Sequence, residues 1–203
     1  MKKIGSVSAL EDLGRVRLSK SFYMRDFLYS EISNFHGIPN LPESPDMAIE
    51  VGKVLCETLL EPLQDVFGRI AIRSAYRSLA VNAHGNQHGV NCASNESNYA
   101  RHIWDKLDVE GNKGAMACVV IPWFTDQYEK GRSWTDLAYW IHNNLNYSEV
   151  QFFSKLCAFN IGWLEKPKRT IYSFVEPKGY LIKGEPVNRD YEKFYADFPI
   201  TRK

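Results

Sequence analysis

The spacing of apolar residues changes along the chain, and this change is the strongest constraint on its fold. Between Pro45 and Gly68 the apolar side chains recur at the spacing of an amphipathic helix. From residue 114 onward, short apolar runs rich in Val, Ile and Phe are typical of strands. Helices followed by strands, rather than alternating with them, predict an α+β fold with N-terminal helices packed on a small, mostly antiparallel sheet.

Local signals set the bounds of these elements. A polar cap at Ser19 and a stop at Gly37 predict one short helix between them. A second helix is predicted from Pro45 to Gly68, and Pro62 should kink it or split off its last turn. The remaining predicted elements are strands at 69–74, 115–122, 149–153, 159–164 and 170–175, a polar loop with at most short helices at 78–98, and a helix after Ser133.

Composition excludes several classes of protein. The chain has 203 residues, of which 44% are hydrophobic and 24% charged, so it can form one globular core and is neither disordered nor collagen-like. A net charge of +1 gives no general field for nucleic acid or anionic lipid. Residues 1–20 mix acidic and basic side chains, unlike a signal peptide, and no segment has the apolar length of a membrane span. Because the four cysteines are also scattered, we expect a soluble, cytoplasmic protein.

Four pieces of sequence within residues 18–82 carry a resemblance to a known family: LSKSFYMRDFLYSE, HGIPN, LLEPLQDVFG and IAIRSAYRSLAVN. Together they resemble the opening of the M15 peptidases, the D-alanyl-D-alanine carboxypeptidase-like family that shares its fold with the hedgehog signalling domain. The last piece is similar to the family's strand followed by Ser-x-Tyr-Arg-Ser. The resemblance implies a hedgehog/DD-peptidase-like domain at 18–176 with an insertion near 86–113, an N-terminal extension at 1–17 and a C-terminal tail at 177–203.

The resemblance also implies a zinc site, although a degenerate one. The family holds one zinc ion with the histidine and aspartate of His-x-x-Gly-x-Ala-x-Asp and with a later histidine on a strand. Here Gly114 matches the glycine, Cys118 stands in place of the aspartate, and His102 is the nearest suitable preceding histidine. Asn160 of AFNIGW stands in place of the last histidine. His102 and Cys118 are thus the implied metal ligands.

The metal ligands have alternatives. A different register puts His88, Ala93 and Asn95 in the places of the motif's histidine, alanine and aspartate. Catalytic zinc sites typically use three protein ligands, and a neutral amide is a weak one, so His88 or Asp105 would have to complete the set. Cys118 is equally open to interpretation as a small buried apolar residue.

Two residues are predicted to act on the substrate. The resemblance gives Arg77 the role of binding the substrate and stabilising an oxyanion, with Ser74 and Tyr76 as its orienting neighbours. A planar guanidinium suits that role, and it suits carboxylate or phosphate equally. Glu149, just before the last predicted strands, is the best acidic candidate for a general base.

Further substrate contacts are predicted on a strand and in the polar loop. Period-two alternation places Phe159 and Ile161 on one face of a strand and Asn160 on the other, so Asn160 can point into a cleft. Asn98 and Tyr99 belong to a loop dense in hydrogen-bonding groups, which suits a ligand pocket. Such asparagine-rich loops are also common as plain turns.

Two functions remain open from the sequence. The first is an M15-like zinc-dependent hydrolase acting on D-alanyl peptides of peptidoglycan, a cell-wall role that fits the missing export signal if the chain is phage-encoded and released by lysis. The second is a catalytically inactive or repurposed M15-like fold that binds another small molecule, a nucleotide or a protein partner. A nucleotide stays open because four arginines could form one basic wall: Arg69, Arg73, Arg77 and Arg101. The sequence leaves the oligomeric state open.

Overall fold

A computed structural model describes residues 4–199 of the chain. As predicted, these residues form a mixed α+β structure with a mostly antiparallel sheet; the structure has eight α-helices, and the sheet is open and six-stranded. Residues 1–3 of the predicted N-terminal extension and 200–203 of the predicted tail lie outside the described residues. No helix within 4–199 is long and apolar enough to cross a membrane.

The elements follow in chain order. The α-helices are α1 (Val7–Gly14), α2 (Glu31–His36), α3 (Pro45–Leu55), α4 (Glu61–Phe67), α5 (Leu79–Gln87), α6 (Asn95–Asn98), α7 (Pro122–Glu129) and α8 (Trp134–Asn144). The strands are β1 (Ala71–Ser74), β2 (Gly114–Val120), β3 (Glu149–Phe152), β4 (Phe159–Leu164), β5 (Thr170–Ser173) and β6 (Gly179–Lys183). A π-helical turn covers Cys56–Leu60, and 3₁₀ helices cover Met24–Phe27, Lys155–Cys157 and Arg189–Phe194.

The strands are ordered β1-β2-β4-β3-β5-β6 across the sheet. Every neighbouring pair is antiparallel except β3 and β5, which run parallel. The five predicted strands are confirmed as β1 to β5. The sixth strand, β6, lies at an edge of the sheet within the segment predicted as a tail, and Phe198 of the same segment is buried in the core.

One face of the sheet carries the core and the other is partly open. Ala117 and Val119 of β2 and Phe159 and Ile161 of β4 are fully buried on the core face, where α3 packs against both strands. Burying one large aliphatic or aromatic side chain of this kind stabilises the fold by roughly 1.5–3 kcal/mol. Asn160 lies on the opposite face and is partly exposed, as the alternation predicts.

The long predicted helix is confirmed from Pro45 to Gly68, and it is split as Pro62 predicts. The π-helical turn at Cys56–Leu60 ends just before Pro62, which stands in the first turn of α4. Proline has no N–H to donate and its ring clashes with the carbonyl of the preceding turn, here that of Thr58. The wider π turn therefore lets the helix continue past the proline.

Two predictions about helices are corrected. The single helix predicted between Ser19 and Gly37 is wrong, because the chain instead forms a 3₁₀ helix and then α2, which Ser30 caps. Ser19 does not cap a helix; its hydroxyl donates to the carboxylate of Glu61 at 2.6 Å. Gly37 does end α2, at a φ of 66° that glycine adopts without strain. The sequence pattern also misses α7, which begins at Pro122 immediately after β2.

Candidate ligand-binding site

A row of hydrogen-bonding side chains crosses the open face of the sheet. The strand registers pair its members one to the next, and every member is partly exposed. We call it the cross-strand row, and its members are Ser74, Cys118, Asn160, Gln151 and Tyr172. Within it, the Asn160 amide donates to the Gln151 carbonyl oxygen at 3.1 Å. The row thus presents uncharged donors and acceptors along one line.

Arg77 lies at the β1 end of this row, half-buried, in the turn that follows the strand. Its guanidinium donates to three neutral acceptors at long distances: the Ser74 hydroxyl at 3.2 Å, the Cys92 sulfur at 3.3 Å and the Asn82 carbonyl oxygen at 3.4 Å. No carboxylate of residues 4–199 forms an ion pair with Arg77. The charge of Arg77 is therefore held in place but is not neutralised by a carboxylate of the described residues.

Asn82, on α5, connects Arg77 to the asparagine-rich loop. It is fully buried, and its carbonyl oxygen also accepts a hydrogen bond from the Asn98 amide at 3.1 Å. The Asn82 amide donates to the Ala93 carbonyl at 3.0 Å and to Asn95 at 2.9 Å. Asn98, which the sequence predicts as a substrate contact, is itself buried in this network. The structure thus places both asparagines where they position Arg77 and the loop.

We expect Asn82→Ala to lower the free energy of unfolding by about 2–3 kcal/mol, because it leaves buried polar partners such as Asn98 without a hydrogen bond. Urea denaturation followed by circular dichroism measures the change. Gln87→Ala, at the exposed end of the same helix, is the control and should stay within about 0.5 kcal/mol of the wild type. An equally small effect of Asn82→Ala would contradict this account of the loop.

His102 is buried behind Arg77. Its Nδ1 lies 2.7 Å from the Ala75 carbonyl oxygen, and its own carbonyl accepts a hydrogen bond from the Arg77 backbone N–H at 2.8 Å. Burial, followed by the charge of Arg77, lowers the pKa of His102 to about 3, although hydrogen bonds to Ala75 and to the Asn160 side chain act in the opposite direction. His102 is therefore a neutral imidazole at physiological pH, tied to both Arg77 and the cross-strand row.

Cys118 occupies the centre of the same region, between Ser74 and Asn160 on neighbouring strands. Burial raises the pKa of its thiol to about 11, and the nearby charges of Arg73 and Arg77 only partly oppose this effect. Cys118 therefore carries a protonated thiol at neutral pH. In that state it is a weak hydrogen-bonding group rather than an activated nucleophile.

The donor set around His102 does not fit a zinc ion. Residues 4–199 contain no group of three His, Cys, Asp or Glu side chains arranged to hold a metal. The two predicted third ligands are engaged elsewhere: Asp105 accepts two backbone N–H groups and the Tyr76 hydroxyl, and the His88 ring stacks on that of His84 with centroids 4.1 Å apart. His102 and Cys118 are left with neutral amides, which are weak zinc ligands.

Two other predicted contacts lie off the cross-strand row. Tyr76 is 1% exposed, in the core, so it does not face a ligand beside Arg77. Tyr99 lines a cleft of about 270 Å³ on the far side of Arg101, together with Glu149. The roles predicted for Ser74 and Asn160 as ligand contacts stay predictions, but both side chains lie in the row beside Arg77.

Glu149, the predicted general base, is held in an ion pair. Arg101 donates to both of its carboxylate oxygens, at 2.6 and 2.8 Å, and Lys168 lies 3.4 Å away. Burial alone would raise the pKa of Glu149, but the hydrogen bonds and charge of Arg101 outweigh it, so the pKa lies below its ordinary value. A carboxylate stabilised in this way is a weak base.

Sequence reasoning did not single out Gln151, Cys92 or Arg101 as parts of the site. Gln151 belongs to the row because β3 pairs with β4. The alternation of buried and exposed residues in β3 puts its side chain on the same face as that of Glu149, and this is the one local signal for it. The sequence places Arg101 in the polar loop and in a possible basic wall, and its pairing with Glu149 interrupts that wall.

In comparisons with known proteins, no protein-family model, no curated protein and no solved structure matches the chain.

Proposed function

We propose that the chain binds a small peptide-like ligand through a free carboxylate at Arg77, on a hedgehog/DD-peptidase-like scaffold whose zinc site has been lost. The observation that carries the proposal is the state of Arg77, whose guanidinium is fixed by three neutral acceptors and has no carboxylate partner among residues 4–199. Charge-assisted, bidentate pairing is the strongest hydrogen bonding available to such a group. A ligand carboxylate would displace the long bonds at 3.2–3.4 Å with short ones.

The rest of the ligand would lie along the cross-strand row. Asn160 and Gln151 offer amide donors and acceptors in a line, which is the pattern that the backbone amides of a short peptide need. A nucleotide is less suited to this surface, because Glu149 neutralises Arg101 and the basic wall is therefore incomplete. The row carries no charge of its own, and the cations near it, Arg77 and Arg73, suit a ligand that carries a carboxylate.

The likeness to the M15 family supports the scaffold part of the proposal. The positions that the resemblance equates with metal ligands are distant in sequence, yet Cys118 and Asn160 are direct cross-strand neighbours and His102 hydrogen-bonds with Asn160. His102 and Cys118 also lie beside Arg77, the residue that the resemblance equates with the substrate-binding arginine. We propose binding rather than hydrolysis because the third zinc ligand is missing and Glu149 is committed to Arg101.

The test is titration calorimetry with N-acetyl-D-alanyl-D-alanine and with its C-terminal amide. We expect the free acid to bind and the amide to bind much more weakly, because only the acid offers a carboxylate to Arg77. Arg77→Gln should weaken binding of the acid by about tenfold to a hundredfold, the range of a lost charge-assisted hydrogen bond. Arg69→Gln removes the same charge from an exposed position and should leave the affinity unchanged.

Three results would count against this proposal. Equal binding of the acid and the amide would exclude recognition of the carboxylate. Unchanged affinity in Arg77→Gln would place the ligand elsewhere. Cleavage of the peptide that a chelator abolishes and zinc restores would replace the proposal with the metal-dependent hydrolase.

A further inference from the structure

A second cleft opens on the same face of the sheet, on the other side of Gln151. Its volume is about 290 Å³, and its lining includes the aromatic side chains of Tyr172, Phe174 and Tyr180. Tyr172 packs edge to face against Tyr180 and against Phe174, with ring centroids 5.1 and 5.0 Å apart. Phe174 and Tyr180 are 50% and 57% exposed, which is unusual for aromatic side chains that lie side by side. We call this cleft the aromatic cleft.

The remaining lining of the aromatic cleft is mostly polar. It includes the Arg101–Glu149 ion pair, Gln151 and Thr170. The Gln151 amide nitrogen and the hydroxyls of Thr170, Tyr172 and Tyr180 have no side-chain hydrogen bond to any of residues 4–199. Several donors and acceptors that face the cleft are therefore free to bind a ligand. The Arg101–Glu149 pair is itself neutral, and Lys168 lies 3.4 Å from the same carboxylate.

We infer that the aromatic cleft binds a ring of a neutral saccharide. The hydroxyl groups of a sugar need several closely spaced donors and acceptors, and its C–H faces pack on the electron-rich faces of aromatic rings. The aromatic cleft offers both among its lining residues. Arg101 and Glu149 are paired with each other, so neither lining charge is available to a charged ligand unless that ion pair is broken. This site lies beyond the one proposed at Arg77, and the two share Gln151 and Tyr172, which belong both to the cross-strand row and to the lining of the cleft.

The experiment is saturation-transfer NMR on the full chain with three probes: N,N′,N″-triacetylchitotriose, cellotriose and maltotriose. We expect saturable binding of at least one trisaccharide at millimolar concentration or below. Tyr180→Ala and Phe174→Ala should each weaken that binding by about tenfold, the value of one aromatic contact. Both side chains are half exposed, so the variants should keep the unfolding midpoint of the wild type.

Two controls separate this site from others. Tyr29→Ala removes a tyrosine that is equally exposed, at 56%, but lies outside the aromatic cleft, and it should bind the trisaccharide as the wild type does. Arg77→Gln should also leave trisaccharide binding unchanged, and Tyr180→Ala should leave binding of N-acetyl-D-alanyl-D-alanine unchanged. The two sites can therefore fail or succeed independently of each other.

The inference is overturned if none of the three trisaccharides binds, or if Tyr180→Ala and Phe174→Ala both bind as tightly as the wild type. It is also overturned if N-acetyl-phenylalanine amide saturates the aromatic cleft while the trisaccharides do not, because the cleft would then recognise an aromatic side chain of a peptide.

Discussion

Gly114→Ala is expected to lower the free energy of unfolding by about 3 kcal/mol, the upper part of the range for forced overpacking. A methyl group at this position would overlap the carbonyl oxygen of Ala100 and would lie 2.8 Å from that of Trp163 and 2.7 Å from a methyl of Leu164. Two of these neighbours are backbone atoms, which cannot rotate away. Urea denaturation of the wild type and the variant measures the loss.

Gly5→Ala is the matched control, because a methyl group there meets no atom within 4 Å, and it should change stability by less than about 0.5 kcal/mol. Gly114→Ala should also weaken binding of N-acetyl-D-alanyl-D-alanine, since pushing Ala100 away displaces the segment that carries His102. A Gly114→Ala protein as stable as the control would show that this contact between β2 and the loop is looser than described. The resemblance to the M15 motif matches this glycine, and the close approach supplies a physical reason for it.

The stability of the protein should fall steeply between about pH 6.5 and pH 3, and His102 should contribute much of the slope. Its pKa in the folded protein, about 3, lies below the ordinary value of 6.5. In this window the unfolded chain binds a proton that the folded chain excludes, so acid favours unfolding. The contribution of His102 is fully present above pH 6.5 and is lost as the pH falls toward 3, by about 1.4 kcal/mol for each pH unit.

Chemical denaturation at several pH values, in the wild type and in His102→Gln, measures this contribution as a difference of slopes. Glutamine cannot take up the proton, so its slope should be shallower by up to one proton. His84 and His142 also have lowered pKa values, but both are present in each protein and cancel in the comparison. Identical slopes, or an NMR titration of His102 with a pKa above about 5, would contradict the buried neutral state.

The strands could be predicted because their signal is local. Apolar runs and period-two alternation located β1 to β5 and placed Asn160 on the open face. The edge strand β6 was missed because only one of its residues, Ile182, is fully buried, so it shows little apolar periodicity. The helix α7 was missed because its start lies directly after a strand, where Pro122 marks the end of one element and the beginning of the next.

The site was less predictable, because its geometry depends on pairings between distant segments. The cross-strand row exists only because β2 pairs with β4 in a register that sets Cys118 opposite Asn160. No local pattern encodes that register. The zinc prediction depended on the resemblance to the M15 motif and on residue types, whereas in the structure Asp105 already accepts hydrogen bonds from Tyr76 and from two backbone N–H groups. Whether a side chain is free to bind a metal depends on the hydrogen bonds that its neighbours already make to it.

The π-helical turn at Cys56–Leu60 sets the angular phase between the two halves of the long helix. An α-helix rotates about 100° for each residue, so one extra residue accommodated in a wider turn rotates the side chains that follow by just over a quarter of a revolution about the helix axis. With this offset, Leu55 before the turn and Leu63 and Phe67 after it are buried in the same core. The offset also sets the direction in which the chain leaves Gly68 for β1, and hence the orientation of the strand from which Arg77 emerges.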